Sequence, residues 1–437
     1  MDTLHRCCAG LDVHKDSVFA CVRRLLPNDE VVSEVRRFGT TTTELLLLLD
    51  WLLTLGVSVV AMESTGVYWK PVFNILEGPV RVLLVNAEHV KQVEGRKTEV
   101  GDCAWIAQLL QHGLLRPSFI PEQPVRELRD LTRQRTQLTG ERASAANRIQ
   151  KVLEDANIKL ASVATDVLGV SGRAILAKLI AGEENSETLA EQARGRLRSK
   201  IPQLREALRG RVTEHHRFLL RLHLDHLGHL DGLMTRLTER IEMLLFPPSD
   251  PSDPSPPPET SPPSGTASTA GGLPTEGAPP ASAPPSATGA RLGEAVHRLT
   301  TIPGVSRRTA EVVVAEIGAN MEQFPTASHL ASWAGVCPGN HESAGKRHSG
   351  RIRRGNRWLK QALVQAAWAA SRCKKGYLPA LFRSLARRRG RKRALIALAH
   401  TLLVTCYYLL KKGVDYRDPA GPGDNPPPPK EVEGAVA

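Results

Sequence analysis

The stretch FPPSDPSDPSPPPETSPPSGTASTAGGLPTEGAPPASAPPSATGA, residues 246–290, sets the first limit on what this chain can fold into. Its Pro, Ser, Gly, Thr and Ala cannot bury enough apolar surface to offset the entropy of ordering a backbone. A disordered linker over 247–290 is therefore expected, with folded bodies on both sides. The C-terminal PAGPGDNPPPPKEVEGAVA has the same character and predicts a disordered tail within 413–437. The remaining length suffices for two or three domains with their own cores.

Ahead of the linker the pattern changes once. Over 1–120 short β-rich runs alternate with helical ones. CCAGLDVHKDSVFACVRR reads as two strands joined by a polar turn at His14–Asp16, TTELLLLLDWLLTLG as a helix, and VSVVAME and VRVLLVNA as buried strands. That alternation predicts an α/β domain around a central sheet. Over 121–246 the pattern is almost wholly helical. Leu227, Leu230, Met234, Leu237, Ile241 and Leu244 recur at spacings of three and four. Such a seam suits a long hairpin or an intermolecular coiled coil, which would make the protein a homo-oligomer, dimer to tetramer. His215, His216, His223, His226 and His229 lack acidic or cysteine partners for a metal and read better as a polar helix face.

The charge is uneven. From Arg291 onward there are 25 Lys+Arg against 10 Asp+Glu, which leaves 33 against 35 for the preceding residues. The net +13 therefore belongs to the C-terminal region and points to a polyanion, most simply nucleic acid. The seven cysteines form no CxxC pair, which disfavours a disulfide scaffold or structural zinc and suits a reducing cytoplasm. MDTLHRCCAGLDVHK lacks the apolar core of a signal peptide. ALIALAHTLLVTCYYLL, 394–410, is interrupted by His400, Thr401 and Thr405 and is shorter than the about 20 apolar residues of a membrane span. A buried helix and no membrane are expected.

Four acids stand where chemistry is plausible. Asp12, in GLDVHKD, follows a first strand, and Glu63, in AMESTGVYW, closes a later one. Glu99 and Asp102, in KTEVGDCAWIAQLLQHG, are three apart and so adjacent on a helix. Acids in a first turn also simply favour the helix dipole. Four carboxylates at one point would repel unless a hard cation neutralised them, which implies Mg²⁺ or Mn²⁺. Two such ions could activate a nucleophile and stabilise a leaving oxygen at a phosphodiester.

Beyond the linker, RLTTIPGVSRRTAEVVVAEIG fits a helix-hairpin-helix, or an ordinary helical hairpin. In the first case the turn at Gly304, with Arg307 and Arg308, would meet a phosphate. Next, Ser343 lies in a Gly-rich polar loop ahead of Lys346, Arg347, Arg351, Arg353 and Arg354. A serine there is either a phosphate contact or a nucleophile whose transition state the cations stabilise. SLARRRGRKRAL adds a basic run, either a solvated face or a further backbone contact.

Together GLDVHK, MESTGVYW, KTEVGDCAWIAQLL, TTIPGV and LASWAGVCPGNHESAGKR resemble the DEDD-type insertion-sequence transposases, over 7–246 and 291–412. The resemblance implies a RuvC-like, ribonuclease-H-like N-terminal domain (1–120) and a helical coiled-coil region (121–246). It implies a mostly α C-terminal transposase domain (291–412) beyond the linker. It further implies a metal-binding tetrad at Asp12, Glu63, Glu99 and Asp102, and Ser343 as a nucleophile that links covalently to DNA. Its expected partners are donor and target double-stranded DNA and a structured non-coding guide RNA (bridge RNA) from the element. The family motif reads KTD where this chain has Glu99, one methylene longer. Two alternatives stand beside a recombinase: a junction nuclease using only the acidic cluster, and an inactive nucleic-acid-binding remnant.

Overall fold

The computed structural model describes residues 3–64, 66–86, 99–247, 285–338, 341–343, 346–349, 352 and 355–419, with the side chains of 99–101, 285–288 and 341–349 outside that description. These residues divide into two compact units, Met1–Ile120 and Pro121–Ala437. The segment between Pro247 and Pro285, where disorder is expected, lies outside the described residues.

The first unit is a five-stranded sheet with helices on both faces. Its strands are β1 (Cys7–Val13), β2 (Ser17–Leu25), β3 (Val31–Gly39), β4 (Val59–Glu63) and β5 (Arg81–Val85), in the order β3-β2-β1-β4-β5. β1–β2 and β2–β3 are antiparallel, β1–β4 and β4–β5 parallel. This is the ribonuclease-H-like arrangement that the resemblance implies. The turn after β1 closes through the His14 amide donating to the Ser17 carbonyl at 2.9 Å. Because side chains alternate along a strand, Ala9, Leu11 and Val13 pack with α1 (Thr42–Thr54) and α2 (Trp69–Leu76) on one face. Cys8, Val59 and Ala61 pack on the other with Ile106, Leu109 and Leu110 of α3 (Glu99–Gln111).

The second unit is helical. The two longest helices, α4 (Gln123–Asp155) and α9 (Glu214–Leu245), run antiparallel, since Asp155 meets His216 while Arg142 meets Asp231. Thirty-three residues make α4 about 50 Å long. Leu227 and Leu230 of the apolar seam, with Leu220 ahead of it, are buried in one core with Leu138, Ala145, Ile149 and Leu153, and Met234 and Leu237 pack alongside. The seam is thus covered within the chain, as a hairpin, and not left open for the intermolecular coiled coil that was the other expectation. Four short helices share that core: α5 (Leu160–Val163), α6 (Val170–Ile180), α7 (Ser186–Ala190) and α8 (Ile201–Ala207).

Past the undescribed segment come α10 (Pro285–Thr300), α11 (Arg307–Ile317), α12 (Ala327–Ala334), strands β6 (His341–Ser343) and β7 (Lys346–Ser349), α13 (Arg357–Ser371), α14 (Tyr377–Arg389) and α15 (Arg391–Lys412). Two expected boundaries shift. Helix α10 begins inside the expected linker. Tyr416 and Asp418 of the expected tail bond to Thr301 and Tyr377. Nor does the linker separate independent bodies, because α10 packs on α9 and α11 on α4. Helix α15 is long and apolar enough to cross a membrane, but 61% of its apolar window is buried inside the unit, with Leu398, Leu402 and Cys406 fully covered.

Candidate functional site

Helix α3 lies directly on β1 because Gly10 has no side chain. A Cβ there would stand 2.3 Å from both the Cys103 carbonyl oxygen and the Ala107 amide nitrogen. The strand period then decides what else faces α3: Cys8 and Asp12 on β1, Val59, Ala61 and Glu63 on β4. Leu11 pairs with Met62 in parallel register, so Asp12 and Glu63 are the next positions on neighbouring strands, both at C-terminal ends. Asp102 is on the helix that covers this face, and its neighbour Cys103 is close enough to feel the charge of Asp12. Glu99 begins α3, with its side chain outside the described residues.

Asp12 is 9% exposed, and its Oδ2 lies 3.0 Å from Nε2 of His14. The sequence suggested only a turn for His14, although the Asp-X-His spacing across a strand end was the available signal. Among the described residues no group of three or more His, Cys, Asp or Glu stands at metal-binding spacing. The donor chemistry of this face nevertheless suits a hard cation, being carboxylate oxygen from two strand ends and a helix. Burial pushes the Cys103 thiol up to about 11, and that of Cys8 up to about 12. Both are therefore uncharged packing groups at neutral pH rather than thiolate ligands.

The serine segment is a two-stranded hairpin, not the irregular loop expected. Ser343 pairs in the ladder with Lys346 and Glu342 with Arg347, and a bridge joins Pro338 to Ile352 below them. Arg351, Arg353 and Arg354 lie outside the described residues. The base of the hairpin is tightly held. A Cβ on Gly355 would be 2.5 Å from the Ala334 carbonyl, so the outgoing chain lies flat on the end of α12. Asn356 then caps α13, its Oδ1 accepting from the Trp358 and Leu359 amides at 3.0 and 3.1 Å, while its Nδ2 donates to Glu316.

Glu316 is fully buried and takes a bidentate pair from Arg133, at 2.7 and 2.8 Å. Arg129 approaches its Oε2 at 3.4 Å and donates to the Ala315 and Glu316 carbonyls. Burial pulls Arg129 down to about 10, with Glu316 opposing that shift. One turn and a half back, buried Glu311 pairs with Arg135 and Arg307. The only sequence signal for this network was a pair of acids inside the otherwise apolar helix AEVVVAEIG.

The turn between α10 and α11 is engaged within the chain. Gly304 has φ 89°, and a Cβ on it would meet the Ala370 amide nitrogen at 2.4 Å, so the turn packs on α13. Arg307 pairs with Glu242 at 3.0 Å and lies over the Phe246 ring at 5.2 Å. Arg308 is exposed. Two of the three expected phosphate contacts therefore fasten α11 to its neighbours.

A family model described as a transposase, of the DEDD IS110 type, matches residues 9–158, and one described as Transposase IS116/IS110/IS902 family matches 296–383. An insertion element IS110 uncharacterized 43.6 kDa protein from Streptomyces coelicolor is 36% identical over 126 residues, 28% of this chain and 31% of that protein. The transposase for insertion sequence element IS1111A from Coxiella burnetii is 33% identical over 132 residues, 29% of this chain and 36% of its own. The chain thus spans about a third of the length of these curated relatives. A Thermus thermophilus RuvC structure aligns over 26% of this chain and 99% of its own, at 14% identity and a TM-score of 0.20. The first family match takes in all four acids and the second takes in Ser343 with its basic neighbours, and on those two matches the chain belongs to the IS110 family of insertion-sequence transposases.

Proposed function

We propose that this chain is the transposase of an insertion sequence, cutting and rejoining DNA through a covalent link to Ser343. The observation that carries the acidic half is the shared face of Asp12, Glu63 and α3, fixed by the Leu11–Met62 register and the close approach at Gly10. The serine half is supported by the family match over 296–383 and by the Ser343–Lys346 hairpin on its braced base.

The Ser343 oxygen attacks a phosphodiester phosphorus and gives up its proton, the strand joins that oxygen as the bond to the sugar oxygen breaks, and the departing oxygen takes up a proton to leave as a hydroxyl. Lys346, Arg347, Arg351, Arg353 and Arg354 stabilise the charge that builds on the phosphate. Asp12, Glu63, Glu99 and Asp102 would hold a divalent cation, Mg²⁺ or Mn²⁺, which supplies Lewis-acid stabilisation of phosphate charge when bound. His14 steadies the Asp12 carboxylate from 3.0 Å. Donor and target duplexes are the substrates, and a structured RNA from the element directs the choice of site. Oligomerisation, dimer to tetramer, belongs to the same proposal, although the apolar seam of α9 is used within the chain.

An adduct trap tests this. Protein, element-derived RNA, labelled donor and target duplexes and Mg²⁺ are combined and quenched in detergent. Label on the wild-type protein that disappears in Ser343→Ala supports the serine link. Cleaved ends without an adduct would move the function to the acidic face alone, as a nuclease. Neither product, with nucleic acid still bound, would mark an inactive remnant.

A further inference from the structure

From Ser343 to Val414 the chain contains no acid: 72 consecutive residues hold 19 of its 58 Lys and Arg and none of its 45 Asp and Glu. Elsewhere acids occur about once in eight residues. A solvated surface usually mixes both signs, so ordinary solubility does not account for this stretch.

Its densest portion is the corner where α14 gives way to α15. Gly390, at φ 79°, ends one helix and starts the other. The seven cations from Arg383 to Arg393 therefore gather within about a turn or two of one residue, and all are exposed. None forms an ion pair with an acid among the described residues. Packing does not require them, because Tyr377, Leu378 and Phe382 of α14 and Ala394, Leu395 and Leu398 of α15 make the buried contacts. Arg391, Lys392 and Arg393 also occupy the first turn of α15, where the helix dipole disfavours cations, and no side chain caps that end. Arg387, Arg388 and Arg389 suit the C-terminal end of α14, but the like charges crowded on both sides of Gly390 repel, and the three at the start of α15 oppose its dipole. An external polyanion reverses both effects.

We propose that this corner is a phosphate-backbone surface for duplex DNA, distinct from the Ser343 hairpin and indifferent to base sequence. It rests on the transposase function above, which makes DNA the partner, and it adds a second grip remote in sequence from the serine.

The test uses the full chain carrying Arg387→Gln, Arg388→Gln, Arg391→Gln and Arg393→Gln, with binding to a 30-bp duplex of unrelated sequence followed by fluorescence anisotropy over a salt series. Each lost phosphate contact lowers the slope of log K against log salt by about 0.9, so four should lower it by about 3.6. The four Arg→Lys replacements should keep the wild-type slope. An unchanged slope in the Gln variant overturns the proposal, and a loss confined to a structured RNA probe does so too. If the Gln variant fails to melt like wild type, the pair Lys392→Gln and Arg393→Gln is used, with a slope change of about 1.8 expected and none as the overturning result. Adduct formation at low salt separates the two levels. An adduct on the wild-type chain together with an unchanged slope in the Gln variant overturns the corner alone, and no adduct on the wild-type chain overturns the serine function itself.

Discussion

Two glycines of opposite character set the residue scale. Gly10 brings α3 against the sheet, and the atoms that an added methyl would strike are backbone, so no side chain can swing aside. Gly10→Ala should destabilise the N-terminal unit by about 1–3 kcal/mol, the usual range for overpacking. It should also lift α3, and Asp102 with it, away from Asp12 and Glu63. Gly140, in the middle of α4, has nothing within 4 Å of its absent Cβ. There Gly→Ala should stabilise by about 0.5–1 kcal/mol, since only backbone freedom is lost. Urea unfolding of the two variants, with the adduct assay on the first, checks both. A neutral Gly10→Ala would mean that α3 is not held as close as described, and the acidic face would lose its main support.

At the scale of elements, the helix that carries no proposed chemistry holds the serine segment. Helix α11 presents Glu316 at full burial to Arg129 and Arg133 of α4 and to Asn356 at the foot of the hairpin. Removing one partner of a buried ion pair leaves the other charge uncompensated, which costs about 3–5 kcal/mol. Glu316→Gln should fall near the lower end, because Arg133 is a third exposed and water can reach it. Chemical denaturation measures that loss. If the network positions the hairpin, the adduct rate at temperatures below unfolding should fall as well; full stability in Glu316→Gln would remove the network from the account. This region of the site was not legible in advance. Arg129 and Glu316 are 187 residues apart, and periodicity reports only what a residue's neighbours do. What was legible had a strong local period: the parallel strands ending at Asp12 and Glu63, and the apolar spacing of Trp105, Ile106, Leu109 and Leu110 along α3, of which the last three are buried and Trp105 partly so. Strand β3 escaped notice because VVSEVRRFG is an edge strand whose Val31 and Val35 stay over 40% exposed, so neither face shows a hydrophobic alternation. The hairpin at Ser343 escaped for a similar reason, since HES and KRHS bury no apolar run.

For the whole molecule, the Pro-rich segment has a different meaning from the one composition suggests. A linker between independent bodies should start and finish far apart, yet here its two flanks touch. A Cβ on Gly289 would lie 2.7 Å from the Leu244 carbonyl oxygen and 3.2 Å from Cδ of Pro247, and one on Gly293 would lie 2.4 Å from the Leu245 carbonyl. The end of α9 and the start of α10 therefore lie side by side in one unit, so the 37 residues between Pro247 and Pro285 join two neighbouring points. A connection between neighbouring points can be shortened without moving its ends. Deleting 253–283 leaves six residues, which can reach about 20 Å, enough to rejoin neighbouring helix ends. Closure entropy grows as about 1.5RT times the logarithm of loop length, so the deletion should stabilise the C-terminal unit by about 1–2 kcal/mol. Melting of the deleted chain against wild type measures this directly. A higher midpoint with unchanged cooperativity agrees with one unit closed by a dispensable loop. A lower midpoint, or two separated transitions where wild type has one, would mean that the two sides of the segment are held together by less than the packing of α9 on α10 and of α4 on α11 indicates.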